Sequence, residues 1–479
     1  MIWGALLDFT IISVLAALFF FYFERRGGID RNLMWALIAA RLAASLAQIH
    51  SASQPPAMRH LGMEISFGLT LLAFLALRWV RPRVYEGIAR GFAILLVLVG
   101  LNAAWIVPEL LYLGLRHKAP DAVLADSSAA HDRTSRATGP KPDRRIVWLV
   151  FDELSYNQTF EHRFPGLAMP AFDQLRSESF VFQDLRPVAT YTDVALPALF
   201  LGKGVDGIKS DLDGRAILKL SGQNRWSVFD PQATVFGEAG RNQWASGVVG
   251  WWNPYCRILP NILDSCYWTT EETNGIFSTE NSVLQNAAAP FLSKLGVNSA
   301  TVEEKHQAST LAIMEQAQAL IANEKIQFLF IHLPIPHPPG IYDRATGKLR
   351  GAGTYIDNLA LADRSLAELT NSLNATASAA KTILILCSDH SWRVPMWKSN
   401  AGWSAEEEAA SHGKFDPRPV LIIHFPQQSR EVAISQPFDQ IALHGIIVSM
   451  LQGHIESQAD LQAWLNSAMN ADVKDVATR

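Results

Sequence analysis

The stretch Ile383-Leu-Ile-Leu-Cys-Ser-Asp-His390 decides how this chain reads. Four apolar residues in a row predict a strand buried on both faces, and two metal-competent side chains follow at its C-terminal end. Open α/β sheets bind their ligands at the carboxyl ends of strands, so an Asp-His pair delivered there is placed for chemistry.

Three other places repeat the arrangement. Ile146–Val150 runs into Phe151-Asp152-Glu153, and a carboxylate directly after a buried strand is unfavourable unless it is paired or hydrogen-bonded. Capping of a following helix is the simpler use of Asp152. Phe328–Ile331 runs into His332-Leu-Pro-Ile-Pro-His337-Pro-Pro, where the prolines predict a stiff loop with two histidines at a set spacing, at least one of them functional. His412-Gly-Lys414 precedes a strand predicted over Val420–Phe425. Helical patterns over Met169–Arg176, Val302–Ala322 and Tyr355–Leu373 alternate with these strands. The alternation predicts an α/β domain over 146–479, with a mostly parallel central sheet flanked by helices.

Upstream the texture differs. Apolar runs at Ile2–Phe23, Leu33–Ile49, Leu61–Val80 and Gly91–Leu115 are each about the length a bilayer core demands, although Arg41 and Glu64 interrupt the middle two. They predict a membrane domain of about four transmembrane helices over 1–116; a buried hairpin is the other reading of the middle pair. Arg25, Arg26 and Arg31, and then Arg78, Arg81, Arg83 and Arg90, place the first and third connections in the cytoplasm. The N-terminus and everything after Leu115 then lie outside, which in a bacterium is the periplasmic side of the inner (cytoplasmic) membrane. Residues 117–145 read as a polar linker.

The 479 residues carry a formal net charge of −4 and a mean hydropathy of +0.09, which excludes a nucleic-acid binder held by bulk charge. Three cysteines are too few for a disulfide scaffold, but Cys256 and Cys266 can close a small loop in an oxidising compartment. The aromatic segment Trp244–Tyr267 reads as packing around that loop, with a sugar or lipid groove as its other use.

Two aspartates and several histidines suit a borderline divalent metal, zinc or manganese. The nucleophile they need is sought in Thr190-Tyr-Thr192-Asp-Val-Ala-Leu-Pro197, since a threonine hydroxyl is poor at neutral pH and a dication beside it favours its ionised form. Capping of a helix beginning near Leu196 is the alternative use of that threonine.

In this order the pieces resemble the alkaline-phosphatase superfamily. More narrowly they are similar to its sulfatase-like, membrane-anchored phosphoethanolamine and phosphoglycerol transferases. The resemblance covers roughly Arg145 to Gln427. It implies a metal held by Asp152, Thr192, Asp389 and His390, with Thr192 phosphorylated in a covalent intermediate. It further implies that His337 and His412 stand around the metal, or at a second one, to hold the substrate phosphate or protonate the leaving group; Lys414 is a further helper. The implied function moves a phospho-headgroup from a phospholipid donor to an envelope glycan or lipid acceptor. The alternatives are a sulfatase-like hydrolase (a phosphodiesterase) and a non-catalytic envelope protein. Three departures stand out: Asp152 where the phosphoethanolamine enzymes carry Glu, no cysteines flanking the threonine, and Ser391-Trp392-Arg393 after the Ser-Asp-His in place of glycine. A Cys/Ser-x-Pro-x-Arg sequence is absent, which sets aside a formylglycine sulfatase.

Overall fold

The computed structural model describes residues 2–26, 28–50, 56–116, 142–210, 215–269, 282–284, 287–288, 301–400 and 402–477. The chain divides into two compact units: one holds Met1–Lys118 with Asn274–Ser299 and Ser399–Gly402, and the other holds the remainder.

In the first unit the apolar runs form helices at Ile2–Arg26, Gly28–His50, Pro56–Val80 and Pro82–Arg116. Met34, Trp35, Phe74 and Tyr85 pack as its small core. Among the described residues, no helix is long and apolar enough to cross a membrane, so the expected four spans find no support. Arg41 and Glu64 interrupt the apolar runs of the second and third helices. The predicted linker lies almost entirely outside the described residues.

The second unit is built on an eight-stranded sheet. Its strands, in chain order, are β1 (Arg145–Asp152), β2 (Phe180–Phe182), β3 (Ser246–Trp251), β4 (Ser265–Thr269), β5 (Phe328–Pro336), β6 (Thr382–Ser388), β7 (Leu421–His424) and β8 (Val432–Ile434). Across the sheet they run β8-β2-β7-β6-β1-β5-β3-β4. Only β7 opposes its neighbours; every other pairing in the sheet is parallel.

β1 shows why the centre holds. Every one of its residues is buried, and successive side chains enter opposite cores. Val147, Leu149 and Phe151 join a cluster with the helices Val302–Ala322 and Tyr355–Asn374. Ile146, Trp148 and Val150 join another with the helices Thr192–Leu201 and Leu443–Leu451. Full burial on both faces is what an uninterrupted apolar run in a parallel sheet produces.

Three details differ from the expectations. The strand after Phe328 continues through Pro336, so His332 is a buried strand residue and the loop begins only at His337. Prolines are tolerated there because pairing with β3 ends at Ile331, leaving that edge without a ladder to supply. The helix expected near Leu196 begins at Thr192, and its N-cap, Tyr191, makes no side-chain capping bond. The aromatic segment contributes the two strands β3 and β4, with Cys256 and Cys266 disulfide-bonded.

Candidate metal centre and nucleophile

Parallel pairing in register brings the ends of β1 and β6 side by side, with Phe151 opposite Ser388. The Ser388 hydroxyl locks them together, donating to Phe151 O at 2.8 Å and accepting from Leu154 N at 2.8 Å. Asp152 and Asp389, one residue beyond that lock, are both fully buried. At Glu153 the backbone turns into the left-handed region (φ 63°), unusual for a side chain with a Cβ, and its N–H donates to Asp389 Oδ1 at 3.3 Å. His390 N donates to the same oxygen at 2.9 Å, which leaves Asp389 Oδ2 as the uncommitted atom.

β5 adds His332. Its Nδ1 lies 2.9 Å from Trp251 O and 2.8 Å from the Tyr255 hydroxyl. With Nδ1–H donating there, the lone pair of Nε2 points at Asp152 Oδ2, 3.5 Å away. Asp152 Oδ1, Asp389 Oδ2 and His332 Nε2 are buried and have no hydrogen-bond partner among the described residues. Ligand atoms of these same three residues lie within 4.8 Å of one another. Converging buried acceptors without a donor are what a cation site looks like when only protein is present.

His390 and Thr192 complete the constellation. His390 Nδ1 lies 3.1 Å from Ser391 O, so its Nε2 is directed inward, 3.3 Å from Asp389 Oδ2 and 3.8 Å from Asp152 Oδ1. Thr192 Oγ1 sits 3.2 Å from that nitrogen and donates to Asp152 Oδ2 at 3.3 Å. All four predicted ligands therefore meet.

The other predicted residues fall differently. His337 is partly buried beside Trp251, with ring centroids 5.1 Å apart; its Nδ1 contacts Pro338 O and its Nε2 lies 3.1 Å from Arg393 Nη2. Burial pushes its pKa down to about 3, so the ring is neutral with Nε2 accepting. Asn358 fixes its loop, donating to His337 O at 3.1 Å and Pro339 O at 3.0 Å. His412 is exposed, with φ 50°, at the C-terminal end of the helix Ala405–Ser411, and Lys414 is exposed beyond it. Neither takes part in the hydrogen bonds described for the cluster. Trp392 stacks on Tyr355 (centroids 4.1 Å apart) and Trp403 (5.3 Å), inside the core. It does not occupy the cluster.

Sequence reasoning leaves His332 out of the ligand set, and places Glu153 and Arg393 nowhere. The signal for His332 is the apolar alternation continuing past Ile331 through Leu333 and Ile335, which the prolines obscure.

The sequence matches the Sulfatase family profile over residues 144–444. The chain belongs to the sulfatase family. No curated protein sequence matches it. Among solved structures it is similar to Ps i-CgsB in complex with k-i-k-neocarrahexaose, at 16% identity over 66% of this chain and 73% of that one, with a TM-score of 0.45. Others are the phosphonate monoester hydrolase of Agrobacterium radiobacter (11% identity, 64% and 74% covered, TM-score 0.39) and an alkaline phosphatase superfamily protein from Vibrio parahaemolyticus (14%, 69% and 74%, 0.36). Sulfatase-family enzymes use a divalent metal, and Asp152, His332 and Asp389 form a possible site for one in this member.

Proposed function

We propose that this sulfatase-family member is a phosphotransferase that carries a phospho-headgroup on Thr192. The observation behind it is the placement of Thr192 Oγ1 between Asp152 Oδ2 and His390 Nε2, beside acceptor atoms that have no donor among the described residues. Asp152, Asp389, His390 and Thr192, with His332 beside them, would hold the metal, which when bound lowers the pKa of the threonine hydroxyl and offsets charge on phosphoryl oxygens. Asp152 Oδ2 receives the hydroxyl's hydrogen bond and so orients an oxygen lone pair outward. Thr192 Oγ1 attacks the phosphorus of a phospholipid, the bond to the diacylglycerol oxygen breaks, and that oxygen takes up the proton the threonine gives up. An envelope glycan or lipid hydroxyl then attacks the phosphorus of the phosphothreonine, the bond from phosphorus to Oγ1 breaks, and the hydroxyl's proton goes to Oγ1.

Attachment to a bacterial inner membrane, with the catalytic unit periplasmic, belongs to the same proposal. Its support is the exposure of apolar side chains on the first unit, Leu18 at 62% and Leu72 at 67% among them, and the Cys256–Cys266 disulfide. Membership of the sulfatase family favours a second reading, in which water takes the place of the acceptor hydroxyl. Headgroup-labelled phospholipid offered with envelope extract separates the two. Label on a glycan or lipid supports transfer, label only in free headgroup phosphate supports hydrolysis, and release that does not require Thr192 sinks both.

A further inference from the structure

Arg393 stands against three segments of the cluster. Its Nε donates to Glu153 Oε1, the residue after Asp152, and its Nη2 reaches His337 Nε2 at 3.1 Å. Its guanidinium carbon lies 5.4 Å from the centre of the Tyr191 ring, beside Thr192, and 5.9 Å from the Trp397 ring. Glu153 is wholly buried, and both its oxygens also accept from Trp397 Nε1, at 3.0 and 2.7 Å. The carboxylate is thus fixed before it fixes the arginine.

A guanidinium has five N–H donors. One goes to Glu153 and one to His337; the remaining three, on Nη1 and Nη2, meet no acceptor among the described residues. The side chain is only 12% exposed, so those donors lie in a largely water-poor place where an anion is bound strongly. Two aromatic rings flank the guanidinium, and a planar fork of this kind suits bidentate recognition of a tetrahedral oxyanion. Charge balance points the same way. Asp152 and Asp389 would by themselves balance a dication, so an anionic phosphoryl group approaching them calls for a further positive charge.

We propose that Arg393 is the anion clamp of this site, its free edge taking two oxygens of the phosphoryl group that Thr192 attacks, with Glu153 and His337 setting its orientation. The inference rests on the reading of Thr192 as the attacking group. Nothing in the Ser-Asp-His-Ser-Trp-Arg segment announces it, because Glu153 and His337 reach Arg393 from distant parts of the chain.

The test is calorimetric binding of inorganic phosphate to the full chain loaded with Mn²⁺. Arg393→Gln leaves Glu153 buried without its cation, so the double variant Arg393→Gln/Glu153→Gln accompanies it as a charge-balanced control of folding. Both are expected to weaken phosphate at least thirtyfold at unchanged Mn²⁺ stoichiometry. Arg393→Lys, which keeps the charge and loses the fork, is expected to fall between them and the wild type. Phosphate affinity within twofold of wild type in the double variant, or no phosphate binding by the wild type, overturns the proposal. Failure of the underlying reading looks different: turnover that survives Thr192→Ala removes the nucleophile, while phosphate affinity still reports on Arg393.

Discussion

The two ends of β1 carry buried charges of opposite sign and opposite use. At the first residue, Arg145 is 2% exposed and spends its terminal nitrogens on the last turn of the helix Val302–Ala322, with Nη1 on Ile321 O at 2.7 Å and Nη2 on Leu320 O at 2.9 Å. A cation there answers the carbonyls that every helix C-terminus leaves over. At the last residue, Asp152 is wholly buried among two more acceptor-bearing residues, and the atoms they turn toward one another have no donor among the described residues. Eight residues of one strand therefore span a charge that completes the fold and a charge that is incomplete without a ligand. Buried polar groups with partners report architecture, and convergent ones without partners report chemistry.

The largest effect expected from breaking this contrast is at Thr192. Thr192→Ala should lower turnover by about a thousandfold or more while metal stoichiometry, read by elemental analysis, falls far less. Next comes the ligand set: Asp389→Asn should weaken metal by about 100-fold or more, and His332→Ala by about 10- to 100-fold, in competition titrations against a chelating dye. Without metal, Asp389→Asn should leave stability unchanged or raised, because one of several crowded acceptors has lost its charge. The opposite end should respond in the opposite sense. Arg145→Met should cost about 3 kcal/mol in the urea unfolding of the second unit, with or without metal, and leave metal content and turnover per folded molecule intact. If Arg145→Met instead empties the metal site, the two ends are coupled and the contrast fails.

Glu153 and Arg393 complicate that contrast, because the two form an ion pair that stands within reach of the unpaired cluster. This part is the least legible in the sequence. Buried strands ending in Asp152 and in Asp389-His390 can be read directly, since an acid closing an apolar run of that length is costly unless a cation or a donor meets it. The order of strands and the reversal of β7 cannot, because pairing partners are set by packing across the whole sheet. His332 is hidden by the prolines around it, and Thr192 stands out while the start of its helix does not. Arg393 meets Glu153 across 240 positions, so no local pattern could join them.

The smallest effect lies away from both ends. Asp363, on the helix Tyr355–Asn374, accepts from Phe172 N at 3.0 Å, and burial raises its pKa to about 6. A carboxyl with a raised folded-state pKa stabilises most below its unfolded value near 3.8, and that stabilisation is lost as pH rises through about 6. The stability of Asp363→Asn relative to wild type should therefore improve by roughly 1–2 kcal/mol between pH 4 and 7, read from urea midpoints, since partial solvent access reduces the full effect. No change with pH would place that carboxyl in water.

The most direct measurement is intact-mass analysis of the full chain after brief incubation with metal and phospholipid, followed by peptide mapping. Thr192 as the attacking group requires a mass increase equal to one phospho-headgroup, mapped to the peptide containing Thr192 and absent from Thr192→Ala. An adduct that persists in Thr192→Ala, or that maps to another residue, would contradict it.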